Sequence, residues 1–296
     1  SEMCIRDRMV HDIDLVLFAG ASFDRIACPP TSAFVQEHLG IKRCAEMSIH
    51  SNCTSTYKAM QIAADGIAIG RYKNVLLTTT NQISRMFHIS SYNQAKVTRH
   101  QAMIRWFLCD GSGAMVIRRD DGTMPGLKLQ HTFLESVGLA HEPHMYTRYG
   151  APHSVYEAAE EGLMHLTQNF QQVSQIGPKF FFDGVVRFCE QIGFDTNDMD
   201  KIFNMMKYFL ANVPADHLVD VGMDEVKQRW GWQMAQLKRV LYSTVQERGY
   251  TGPAAIAITL DELIRKNLLA NDDVVASFVT ESSKWMNAGF LMQYRA

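Results

Sequence analysis

Short apolar runs alternate with helical stretches along the first third of this chain, and the alternation leaves few folds open. From Ile13 to Ala19 the run IDLVLFA is apolar, brief and ended by Gly20, the pattern of a strand buried on both faces. After Cys28, Pro29 and Pro30, Thr31 can cap a helix that Gly40 ends. Ala45 to Ile49 reads as a second strand, Ser51 to Gly70 as a long helix, and Asn74 to Thr80 (NVLLTTT) as another buried strand. Strand and helix in turn predict an α/β protein built on parallel sheet.

Beyond this the pattern changes. Ala114 to Arg118 and Gly126 to Leu134 read as two strands, and the Asp121-Gly122 turn between them predicts an antiparallel pair. From about Leu134 to Thr167 the chain is rich in His, Tyr, Gly and Pro, which fits a long loop over a site. Val155 to Arg248 reads as mostly helical, interrupted at Gly177-Pro178, Gly193 and Pro214. Pro253 to Asn267 forms a further helix. Val274 to Val279 and Gly289 to Arg295 are final strands, separated by the polar turn Thr280 to Asn287.

Composition narrows the function classes. With 47% hydrophobic and 20% charged residues over 296 positions, the chain can bury a large core or two ordinary ones. A formal charge of −2 and the lack of a dense Lys/Arg run argue against nucleic acid as a partner. The most apolar windows, such as Leu15 to Ala21, fall well short of the ~20 residues of a membrane helix, so no membrane span is expected. The six cysteines (Cys4, Cys28, Cys44, Cys53, Cys109, Cys189) are scattered, which predicts neither a disulfide framework nor a zinc site and fits a reducing cytoplasm. The opening SEMCIRDR lacks periodicity and a cap, and residues 1–11 read as a foreign or truncated end.

One cysteine stands apart. His50-Ser51-Asn52-Cys53-Thr54-Ser55-Thr56 lies where a buried strand gives way to a long helix, so Cys53 sits in or just before the first helical turn. Free N–H groups and the positive end of the helix dipole there favour a thiolate and predict a lowered cysteine pKa. The same N–H groups could hold an oxyanion. A free cysteine is otherwise a small buried hydrophobe, and both readings of Cys53 are open on local sequence.

The ordered segments DIDLVLFAG, PPTSAFVQEHLGI, HSNCTSTYKAMQIAADGIAIGRYKNVLL, FLCDGSGAMVI and RGYTGPAAIAITLDELI resemble the ketoacyl synthase III family. In that family a nucleophilic cysteine heads a buried helix, a GDGAGA-like turn precedes a strand, and a GNTGAAS-like turn precedes a late helix. Cys53, Asp110 to Ala114 (DGSGA) and Gly249 to Ala255 (GYTGPAA) fall at matching places. The resemblance runs from about Asp12 to the last residue, strongest up to Asp120 and after Arg248. It implies the thiolase-like five-layered αβαβα fold of two pseudo-symmetric halves, 12–150 with the nucleophile and 151–296, and a dimer of this chain or with a homologue. Relatives carry a strand and helices ahead of IDLVLFAG, so the natural protein is expected to be longer.

The chain also departs from the family pattern. The family completes its site with a His and an Asn. Tyr250 replaces that Asn, offering one hydroxyl in place of an amide. The His is expected after a short strand, matched here to Asp216 to Val219, which puts Asp220 or Val221 in its place with His217 nearby. His50, His141, His144 and His153 are other candidates. Their spacing matches no metal-ligand motif, and those of the loop read as solvated; no metal and no cofactor are predicted. Thr280 to Asn287 (TESSKWMN) stands where the family has a glycine-rich turn that helps form an oxyanion hole, and Trp285 reads as a packing residue.

The resemblance implies an acyltransferase. Cys53 would take an acyl group from acyl-CoA or an acyl carrier protein and hand it to a second substrate, with decarboxylative condensation weakened by the missing His and Asn. The competing reading is a catalytically degenerate subunit that pairs with an active homologue.

Overall fold

The computed structural model describes residues 10–21, 28–88, 92–148, 153–214, 217–232 and 234–296. Residues 1–9, most of the expected foreign end, lie outside that set, as do Asp216 and the side chain of His217.

The first sheet follows from the apolar runs. It has the order β2-β1-β3-β4, with β1 at Leu15–Gly20, β2 at Ala45–His50, β3 at Asn74–Asn81 and β4 at Gly111–Arg118. β1 runs parallel to both β2 and β3, Leu15 lying opposite Ala45 on one side and Val75 on the other. β1 is buried throughout because its alternate side chains serve two cores. Leu15, Leu17 and Ala19 face one, while Val16 faces a smaller one with Ile13, Ile41 and Leu76. Helix α1 (Thr31–His38) packs against β1 and β2.

The second sheet has the order β5-β10-β9-β8, with β5 at Gly126–Ser136, β8 at Met206–Ala211, β9 at Val274–Glu281 and β10 at Met286–Arg295. Two helices lie between the sheets, α2 (Ser55–Ala68) and a late helix spanning Ala255–Arg265. One core joins Leu17 and Leu77 of the first sheet, Ala59 and Met60 of α2, Leu260 of the late helix, and Val275 and Phe290 of the second sheet. Beyond the second sheet lies α3 (Phe170–Gln191), whose Phe182, Val185 and Phe188 meet Phe133, Ala276 and Phe278. α4 (Met199–Met205) and α5 (His217–Trp230) share that core through Ile202, Phe203 and Val226. With the late helix named α6, the layers read helix, sheet, helix, sheet, helix, the five-layered α/β arrangement. The halves echo one another: β1 and β3 are a parallel pair closed by antiparallel β4, and β8 and β9 a parallel pair closed by antiparallel β10.

The glycines of DGSGA have a packing reason. A Cβ on Gly113 would stand 2.6 Å from the Ala257 Cβ of α6, and one on Gly111 would stand 2.5 Å from Thr251. Glycine there lets β4 press against the turn and helix of the other half.

Several expectations are corrected. The strands around Asp121-Gly122 do not pair: β4 pairs with β3 and β5 with β10. The turn forms, with Gly122 at φ 79°, yet it carries the chain from one sheet to the other. Gly177-Pro178 does not interrupt α3, because burying Phe182, Val185 and Phe188 outweighs the ~3 kcal/mol cost of an interior proline. Of the stretch read as a strand, His217 to Val219 is helical instead, within α5, and Asp216 lies outside the described residues. The short strand of this half is β8, within the stretch read as helical. The loop from Leu134 to Thr167 contains the small β6 (Met145–Tyr146) and β7 (Thr167–Gln168) pair and a one-turn helix at Val155–Glu160. Among the described residues, no helix is long and apolar enough to cross a membrane.

Candidate active site

The N-terminal ends of α2 and α6 meet, and the meeting point is the site. Cys53 stands just ahead of α2, whose N-cap is Thr54. Tyr250 stands in the turn ahead of α6, and its hydroxyl donates to Cys53 Sγ at 2.9 Å. Three contacts hold the two turns in place. Thr56 Oγ1 donates to the Pro253 carbonyl at 2.7 Å. Cys109 N–H donates to the Tyr250 carbonyl at 2.9 Å, and Asn81 Nδ2 donates to the Cys109 carbonyl at 3.0 Å. Gly249 permits the approach: it adopts φ 69°, and a Cβ there would lie 2.4 Å from Cys109 Sγ.

The electrostatics overturn the lowered cysteine pKa expected from the helix end. Cys53 is pushed up to about 12, first by burial and then by the charge of Glu281, against the lowering effect of the Tyr250 hydrogen bond. Its thiol borders a cavity, yet protein surrounds it closely enough for desolvation to dominate. A carboxylate takes one of the N–H groups at this helix end. Glu281, itself buried, accepts from Thr54 N–H at 3.0 Å, from Thr54 Oγ1 at 2.7 Å and from Ser51 Oγ at 3.0 Å. Ser283 Oγ donates to it as well. Lys58 Nζ donates to Ser51 Oγ at 2.8 Å, extending the network toward the surface. These donors meet the desolvation cost of a buried carboxylate, and they occupy an N–H group that the sequence left open for a ligand.

The residue after β8 is Asn212, which borders the same cavity as Cys53 and Tyr250. Its Nδ2 is buried with no hydrogen-bond partner among the described residues. It lies beside Tyr57 Oη, which bonds Ser277 Oγ at 2.7 Å. Asn212 therefore stands where the short strand of this half ends, the place sought at Asp220 or Val221. The signal was present: the apolar, aromatic run Met206 to Ala211 followed by Asn212-Val213-Pro214 has the length and breaker of a strand.

Three comparisons bear on this geometry. The family model described as 3-oxoacyl-[acyl-carrier-protein] synthase III matches residues 47–138. The β-ketoacyl-[acyl-carrier-protein] synthase III of Caldanaerobacter subterraneus subsp. tengcongensis is 22% identical over 267 residues, covering 90% of this chain and 72% of the relative. That of Methylococcus capsulatus is 24% identical with the same coverage. Among solved structures, the tetronic acid condensing enzyme AbyA1 superposes with a TM-score of 0.75 at 20% identity, over 96% of this chain and 79% of its own. The 3-oxoacyl-[acyl-carrier-protein] synthase III of Aquifex aeolicus gives 0.73 at 16%, over 96% and 78%. The chain is thus similar to 3-oxoacyl-[acyl-carrier-protein] synthase III along most of its length and shares the fold of these enzymes. It fits an acyltransferase of that class.

The other sequence candidates fall as follows. His217 begins α5, and its side chain lies outside the described residues. His50 is exposed and borders the cavity. His144 is not solvated, as the loop reading expected: it is buried against Trp285, with ring centroids 5.3 Å apart, and its Nδ1 lies 2.6 Å from the Glu142 carbonyl. Apolar packing wins because the loop is held to the turn joining β9 and β10, where His144 N–H donates to the Ser282 carbonyl at 3.1 Å. His153 is exposed. No three His, Cys, Asp or Glu side chains among the described residues group as metal ligands. Trp285 packs as expected, stacked on Phe180 with centroids 4.9 Å apart, but it also borders the cavity.

Proposed function

We propose that this chain is an acyltransferase in which Cys53 takes an acyl group from a thioester of coenzyme A or an acyl carrier protein and passes it to a second substrate. The observation that carries the reading is a cavity-facing thiol at the head of the central helix with one hydroxyl donor, Tyr250 Oη, aimed at its sulfur. In the first stage Cys53 Sγ forms a bond to the thioester carbonyl carbon, the bond from that carbon to the donor sulfur breaks, and the proton of Cys53 leaves with the donor as its thiol. Because the resting thiol is neutral, the Tyr250 hydrogen bond matters as the thiol gives up its proton on the way to attack. Asn212 Nδ2, a buried donor beside Tyr57 Oη without a hydrogen bond of ordinary geometry among the described residues, is suited to the carbonyl oxygen of the same thioester.

Decarboxylative condensation is the weaker activity in this account. Stabilising the enolate from a malonyl group takes two well-placed donors, and losing one such donor costs about 100- to 1,000-fold. Here Asn212 follows β8 and Tyr250 precedes α6, so one amide and one bulky phenol stand in for the imidazole and amide of the family. A second reading rests on the same two residues: the chain could pair with an active homologue and shape its site without turning over.

Single-turnover release of free coenzyme A from an acyl-CoA separates the two. An acyltransferase liberates one equivalent per chain before any acceptor is added, and Cys53→Ala liberates none. Release that is equal in both, or absent in both with folded protein, overturns the acyltransferase reading in favour of the pairing one.

A further inference from the structure

The cavity that borders Cys53 has a volume of about 870 Å³, near the top of the ~300–1,000 Å³ range of small-molecule sites. A water molecule claims about 30 Å³ of liquid, and a methylene is of similar size. A two-carbon acyl group together with a donor's pantetheine arm would leave roughly half of this space empty. We infer that the acyl group taken up here is a medium- to long-chain one, on the order of eight to sixteen carbons, with its tail lodged between α3, α5 and β8. This inference rests on the acyl-Cys53 reading for its covalent part and on the cavity alone for its binding part.

The chemistry of the walls supports hydrocarbon. Polar side chains border the cavity at the Cys53 end, among them Asn81, Asn212, Thr280 and Ser282. Away from Cys53 the wall is Phe182 and Val185 of α3, Phe203 of α4, Phe209 of β8 and Trp230 of α5. All five belong to, or pack against, the core beneath the second sheet, so the cavity opens into that core. Arg85 and His50 also border the cavity, whereas these five side chains carry no formal charge. A pantetheine arm would leave its amides unpaired against such a wall, whereas an alkyl chain loses nothing there. Two glycines widen the space from within helices, where glycine is otherwise disfavoured. A Cβ on Gly222 would meet only the Phe182 ring, at 3.5 Å, and one on Gly177 would come no nearer than 3.8 Å to Trp285.

The test is the rate of Cys53 acylation by coenzyme A thioesters of two, four, eight, twelve and sixteen carbons, read by mass spectrometry. Burial of each added methylene is worth about fourfold, so the twelve-carbon thioester should outrun the four-carbon one by at least ~100-fold. Gly222→Phe, which fills the cavity beside Phe182, should cut that ratio at least tenfold and move the optimum to shorter chains. Acylation as fast with two carbons as with twelve overturns the inference while leaving the acyl-Cys53 reading intact. If no thioester acylates the protein, that reading fails, and the cavity is then probed alone. Dodecanoate added to Cys53→Ala should change the emission of Trp230 and Trp285 saturably where acetate does not. No change with dodecanoate overturns the inference.

Discussion

The heads of α2 and α6 occupy equivalent positions in the two halves, yet they are finished in opposite ways. At α2 a buried carboxylate, Glu281, takes the Thr54 N–H and surrounds itself with hydroxyls. At α6 no side chain caps the turn, and its contribution is the Tyr250 hydroxyl pointing across at Cys53. One helix end thus carries the Cys53 thiol beside a negative charge that suppresses its ionisation, and the other supplies the donor that favours it. Topology alone brings two helix ends together; the side chains at each decide whether the shared space is a thiolate site or a site for a neutral thiol.

Exchanging the finish at the α6 side tests this division most strongly. Asn212→His combined with Tyr250→Asn should raise decarboxylation of a malonyl thioester by about 100-fold if missing donors are what limit condensation; an unchanged rate would place the limit elsewhere. Tyr250→Phe alone should slow Cys53 acylation by about 10- to 100-fold and push the thiol pKa further up, since the lost hydrogen bond is one that lowers it. At the α2 side the sign reverses. Glu281→Gln removes a charge that raises the Cys53 pKa, so alkylation of the Cys53 peptide should rise at lower pH than in the parent, by about three- to tenfold at a fixed pH near 8. Alkylation profiles that coincide would show that burial alone sets the thiol. The smallest effect is structural: Thr56→Val loses the bond to the Pro253 carbonyl and should cost about 1–2 kcal/mol in urea unfolding with little change in acylation.

How far the sequence carried depended on how local each feature is. β1, α2 and β3 were legible because burial on both faces and helical spacing are written within each segment. The DGSGA and GYTGPAA turns were legible as an ordered pair, and they pack against each other through Gly111 and Thr251. β8 was not, because its partner β9 begins at Val274, more than sixty positions later, and an isolated apolar run reads equally well as helix. Without β8 the residue after it is misplaced, and the position sought falls at Asp220 or Val221, with His217 nearby, and not at Asn212. The partner of β5 lies at the far end of the chain, while a local turn offered a nearer and wrong one. Glu281 reaches Thr54 across 227 positions; no spacing rule connects them, and only the fold turns an apparent loss of glycine into a carboxylate cap.

The measurement closest to the central claim is the intact mass of the protein after exposure to an acyl-CoA, with and without Cys53. The account predicts a single acyl adduct on the parent chain, removed by hydroxylamine as a thioester is, mapping to the Cys53 peptide and absent from Cys53→Ala. An adduct that persists in Cys53→Ala, or none on folded parent protein, would contradict it.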